Sequence, residues 1–97
     1  MIIYVDIDNT ICTDENGEYQ NAQPINNNIE RINMLYEKGH TIVYWTARGT
    51  VTGKDWLKLT REQLNIWGAK YHKLNVGEKP HYDLLIDDKT KRIEEIQ

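Results

Sequence analysis

The sequence predicts an α/β fold: one compact domain in which a parallel sheet is flanked by helices. Three observations predict it. Short apolar, β-branched runs alternate with segments of helical periodicity. The connections between those runs span about a dozen residues or more, the length that parallel strands need. Ninety-seven residues make one domain, here taken as residues 1–97.

The elements follow in order along the chain. Residues 2–7, IIYVDI, read as a short buried strand closed by Asn and Thr. Residues 13–23 are polar, and Asn16-Gly17 is a hairpin-turn dipeptide, so a turn and hairpin flap is expected there. INNNIERINMLYEKG reads as a helix, with Asn27 or Asn28 as cap, Ile29, Ile32, Leu35 and Tyr36 on one face, and Gly39 as its stop. TIVYWT, residues 41–46, is continuously apolar, as buried parallel strands are. A second helix is expected from about Asp55 to Trp67, with Thr52 and Asp55 at capping-box spacing and Trp56, Leu59, Leu64 and Trp67 on its apolar face. AKYHKL (69–74) and DLLID (83–87) read as the third and fourth strands, and TKRIEEIQ as a terminal helix.

Composition narrows the function classes. Fifteen acidic against twelve basic residues give a net charge of −3, which is no electrostatic footprint for nucleic acid, although a nucleic-acid end remains open as a substrate. No apolar run approaches the roughly 20 residues of a bilayer span. The first residues, MIIYVDID, lack the basic and long apolar regions of a signal peptide. The single cysteine, Cys12, cannot form an internal disulfide, so the expectation is a cytoplasmic protein with no membrane partner. Three Trp and six Tyr without a Phe suit a thin core or a partner surface, because those rings pack while keeping one polar atom wet.

In a parallel sheet every strand ends on the same edge, and ligands of open α/β sheets bind there. Asp6 and Asp8 fall at the end of the first strand, Thr46 at the end of the second, and Asp87 and Asp88 at the end of the fourth, with Lys79 in the loop before it. Side chains two apart on a strand share a face, so Asp6 and Asp8 are expected to point toward one spot. Carboxylates crowded in this way repel unless a cation sits among them. Mg2+ answers the crowding, since it takes oxygen ligands from one or two carboxylates, water and a substrate phosphate. Lys79 brings a compact positive charge for phosphate oxygens and Thr46 a hydroxyl donor. The backbone N–H groups of the loop from Thr46 through Ala47 and Arg48 to Gly49 are expected to complete the cradle.

These residues resemble the haloacid dehalogenase (HAD) superfamily of phosphatases, over nearly the whole chain and in the family's order. An Asp-x-Asp-x-Thr motif is present as Asp6-Ile7-Asp8-Asn9-Thr10, an apolar strand ending in Thr as IVYWT up to Thr46, an upstream lysine as Lys79, and a closing acidic pair as Asp87-Asp88. The resemblance implies a Rossmann-like, HAD-like catalytic domain. It makes Asp6 the nucleophile that forms an aspartyl-phosphate, and Asp8 the group that protonates the leaving oxygen and then activates water. Mg2+ would be held by the Asp6 carboxylate, the Asp8 backbone carbonyl and Asp87, with Asp88 assisting or capping the last helix. Thr46 and Lys79 would neutralise the phosphoryl group in transfer. Neither residues 10–23 nor 49–79 have room for the cap domain that many relatives insert, so a capless member is implied. An open site of that kind suits a phosphate carried on something large, or closure by a second subunit in a homo-oligomer.

The expected activity is Mg2+-dependent phosphomonoester hydrolysis, on a sugar phosphate of surface-polysaccharide synthesis or, alternatively, on the 3′-phosphate of a nucleic-acid end. A phosphoacceptor switch like a response-regulator receiver also places Asp, Thr and Lys at strand ends, but its acidic pair follows the first strand. A non-catalytic binding module would have lost its nucleophile, and Asp6 is present. Arg48 is read as gripping either a substrate or an acidic neighbour. His40, His72 and His81 lack metal-ligand spacing and are given exposed or structural roles, and Cys12 is read as a small core residue.

Overall fold

Four parallel strands form one sheet in the order β3-β2-β1-β4. The structure is a computed structural model; it describes residues 1–49 and 55–77, and the backbone of 84–86. β1 spans Ile2–Asp6, α1 Asn26–Glu37, β2 Thr41–Thr46, α2 Leu57–Ile66, β3 Lys73–Val76 and β4 Leu84–Ile86. The chain winds outward from β1 through β2 to β3, then returns to the far side of β1, where Val5 pairs with Ile86. The strand order therefore reverses at the C-terminal end of β1, where open α/β sheets form their ligand crevice.

Alternation along the strands builds the core. Ile3, Val5 and Ile7 point to the face that carries Ile42 and Tyr44 of β2, registered through Ile3–Ile42 and Val5–Tyr44. Ile29 and Ile32 of α1 and Leu64 of α2 close over that face. Burying each such aliphatic side chain contributes about 1.5–3 kcal/mol. Val43 and Trp45 point the other way and are buried as well, consistent with an all-apolar strand covered on both faces.

Several local expectations shift. β1 ends at Asp6, one residue earlier than expected, and the chain turns at once: the Thr10 and Ile11 N–H groups both donate to the Ile7 carbonyl, with Asn9 at φ 65°. Asn27 and Asn28 do not cap α1 but lie inside it. Asn28 is buried there because its side chain donates to the Thr10 carbonyl at 2.9 Å. Gly39 ends α1 as expected, at φ 95°. Residues 13–23 form a flap, yet its tip holds two 3₁₀ turns, Glu15–Gly17 and Tyr19–Asn21, rather than a two-residue hairpin. The flap's legs are tied by Thr13 N–H to the Gln23 carbonyl (2.9 Å) and by Gln23 N–H to the Thr13 hydroxyl (2.9 Å). β3 lies four residues later than AKYHKL predicts: residues 69–72 carry the chain from α2 to the sheet, where the His72 N–H bonds the Ile42 carbonyl. Thr52 and the terminal helix lie outside the described residues. Among the described residues no helix is long and apolar enough to cross a membrane.

Candidate functional site

The turn after β1 aims Asp8 at the end of β2. The Thr46 hydroxyl donates to Asp8 Oδ2 at 2.7 Å and accepts from the Arg48 N–H at 3.2 Å, which fixes where its proton points. Arg48 donates from Nη2 to Asp8 Oδ1 at 2.8 Å and from Nε to both carboxylate oxygens at 3.1 and 3.3 Å. The arginine side chain is 0% exposed, whereas that of Asp8 retains 19%. A guanidinium taken out of water costs several kcal/mol unless every donor is matched. Here each nitrogen is engaged. Nη1 donates to the Thr60 hydroxyl (3.1 Å) and to Gln63 Oε1 (2.6 Å), and Nη2 also faces Cys12 Sγ at 3.7 Å. The Tyr19 ring of the flap lies over the guanidinium carbon at 4.6 Å, a cation–π contact, and meets Trp56 edge-on at 5.1 Å.

Electrostatics at the site follow from this packing. Burial first, then the Asp8 carboxylate, pushes the Cys12 thiol up to about 12 against the pull of Arg48. Cys12 is thus a buried neutral group, inert as a nucleophile. Burial, followed by Asp8 and Asp14, also raises the Tyr19 phenol, with Arg48 opposing. The Thr10 hydroxyl is buried without a hydrogen-bond partner among the described residues, an unmatched polar atom one turn from Asp8.

No family model and no curated protein matches the chain. A solved structure does. A crystal structure of an MCSG target from Vibrio cholerae superposes with a TM-score of 0.78 at 27% identity, covering 98% of this chain and 85% of that one. The α/β fold with its parallel sheet is therefore shared with a protein known from experiment.

The structure brings some of the expected site residues together and reassigns others. Asp6 closes β1, registered with Trp45 and half-buried. Asp8 lies two residues on, past the end of β1, where the turn carries it to Thr46 and Arg48. Thr46 is fully buried and directs its proton at Asp8 rather than outward to a phosphate. Of the loop N–H groups expected to form a cradle, that of Arg48 is taken by the Thr46 hydroxyl, while Ala47 is exposed. The choice left open for Arg48 falls to the acidic neighbour, and its buried donors are not placed for substrate. Lys79, Asp87 and Asp88 lie outside the described residues, and Asp87 directly follows Ile86 of β4. Among the described residues no cluster of three metal-ligating side chains exists. Thr60 and Gln63 were missed. On sequence they interrupt the apolar face expected of α2, and two polar residues three apart on a buried face signal a buried polar partner.

Proposed function

We propose that the chain is a Mg2+-dependent phosphomonoester hydrolase working through an aspartyl-phosphate on Asp6. The observation that carries this reading is the clamped Asp8 carboxylate. Two aspartates leave the end of the central strand with one residue between them, at the point where strand order reverses. Asp8 is held by Arg48 and Thr46 yet keeps part of its surface open. That suits a group which must stay in one place while it passes a proton. Asp6, at the strand terminus itself, takes the part of the nucleophile. Its carboxylate oxygen attacks phosphorus, and the alkoxide leaves with a proton that Asp8 has first taken from solvent at its open edge; Asp8, again the carboxylate held by Arg48 and Thr46, then takes a proton from the water that cleaves the acyl phosphate.

The donor set also fits Mg2+. Both carboxylate oxygens of Asp8 are occupied by Thr46 and Arg48, so this strand end would offer the ion the Asp6 carboxylate and the Asp8 main-chain carbonyl. Both are hard oxygen donors. Asp87, with Asp88 beside it, would complete the set from the end of β4, and Lys79 would meet the phosphate. The bound ion would supply neutralising charge for the phosphoryl oxygens. Residues 13–23 form a flap rather than a cap domain, which leaves a site open to a phosphate on a large or carbohydrate carrier. The net charge of −3 favours such a carrier over the end of a polyanion.

Hydrolysis of an aryl phosphate tests the reading. It should require Mg2+, stop with EDTA, and vanish in Asp6→Asn. Turnover by Asp6→Asn near the wild-type rate would exclude the covalent route, because an amide is no nucleophile for that step.

A further inference from the structure

Gln63 can be oriented without ambiguity. Arg48 has only donors, so the atom that meets Nη1 at 2.6 Å is the amide oxygen; the Tyr19 carbonyl only accepts, so the atom 2.6 Å from it is the amide nitrogen. One side chain thus bridges the buried guanidinium to the flap backbone. Thr60, one helical turn earlier on α2, takes the other Nη1 proton. A guanidinium is planar, and fixing both protons of Nη1 fixes the plane. The opposite edge, Nε with Nη2, is then aimed at Asp8 and cannot swing away. Tyr19 covers the guanidinium face at 4.6 Å. Asp8 itself makes no bond to α2 or to the flap among the described residues, so Arg48 is the path by which both reach it.

We propose that Thr60 and Gln63 are positioning residues that lock Arg48 onto Asp8, and that Gln63, by holding the Tyr19 carbonyl, makes this lock depend on the docked flap. The proposal rests on the phosphatase reading only for what Asp8 does. A flap that lifts to admit substrate withdraws the Tyr19 ring from the guanidinium and frees the Gln63 amide to rotate. When the flap closes again, the Asp8 carboxylate is returned to a single position. Proton transfer to the leaving group would then occur only beneath a closed flap.

The kinetic test uses phosphate esters whose leaving groups span dinitrophenol to a simple alcohol. Acid catalysis matters little for the first and most for the last. In the phosphorylation half-reaction, followed as phosphoenzyme formation in a single turnover, Thr60→Val and Gln63→Leu should react with the dinitrophenyl ester within about threefold of wild type, yet lose about 10- to 100-fold in rate on the alkyl ester with substrate affinity unchanged. Thr60→Ser, which keeps the hydroxyl, should restore the alkyl rate. An equal loss on every ester, or no loss, overturns the positioning role.

Amide hydrogen exchange at Asn21 and Ala22 in the flap tests the linkage without any substrate. Asp8→Asn and Gln63→Leu should each speed exchange there while α1 stays protected, and the double variant should be no faster than the quicker single one. Unchanged flap exchange in Asp8→Asn refutes the coupling whatever the activity. If the wild type hydrolyses no ester while the coupling is present, the phosphatase reading falls and the linkage stands.

Discussion

At the scale of single residues, the centre of the site is a buried cation. Arg48 unites the turn after β1, the flap and α2, and among the described residues its charge is balanced by the Asp8 carboxylate. Removing it strands Asp8, Thr60 and Gln63 together. Arg48→Met should therefore cost about 3–5 kcal/mol of stability, in the range for breaking one side of a buried ion pair. Arg48→Lys should also destabilise, though less, since a compact ammonium cannot span Asp8 and both α2 acceptors at once. Urea unfolding measures both; a variant as stable as wild type that shows only a raised KM would return Arg48 to the substrate. The two aspartates, Thr46 and the arginine were legible in the sequence because strand ends and chemical type mark them. Which partner the arginine takes was not, because that depends on a loop of two residues and on α2, 12 and 15 positions downstream.

At the scale of elements, patterning gave the two helices and the three longer strands their type, while tertiary demands moved their ends. Asn28 reads as a cap by local chemistry, yet α1 begins earlier, and the side chain serves the neighbouring turn by holding the Thr10 carbonyl. β3 was displaced because the exit from α2 at Gly68 must first cross to the sheet, and Asn33 of α1 ties that crossing through the Gly68 carbonyl and the Lys70 N–H. Neither contact has a local sequence signal. Asn28→Leu tests the element-level role: it leaves a buried carbonyl unmatched and should cost about 1–3 kcal/mol. It should also loosen the turn that aims Asp8, so that exchange at the Ile11 amide rises in step. A neutral substitution would mean that α1 docks without this bond.

For the molecule as a whole, stability should be sensitive to alkali. Burial raises Tyr44 above its usual 10.0, and burial with Asp8 carries Cys12 from 9.0 to about 12. Both groups are neutral when protonated, and the folded chain keeps that proton more tightly than the unfolded one. Their contribution is complete below about pH 9 and is lost as pH rises toward 12, because the unfolded chain ionises first. Denaturation midpoints should fall across that window, and Cys12→Ala should flatten the slope; a slope unchanged by the substitution would show that Cys12 does not hold its proton in this way. Strand order has a further consequence, for how the protein is made. β1 leaves the ribosome first and β4 last, yet they are neighbours, joined through Ile3–Leu84 and Val5–Ile86. At about 5–20 residues per second, β1 waits seconds for its second partner. Throughout that interval a β-branched strand offers one bare ladder of N–H and C=O groups to any other nascent chain. Quality control of this protein is therefore a matter of synthesis rate as well as of final stability, and slowing translation between β3 and β4 lengthens the exposure.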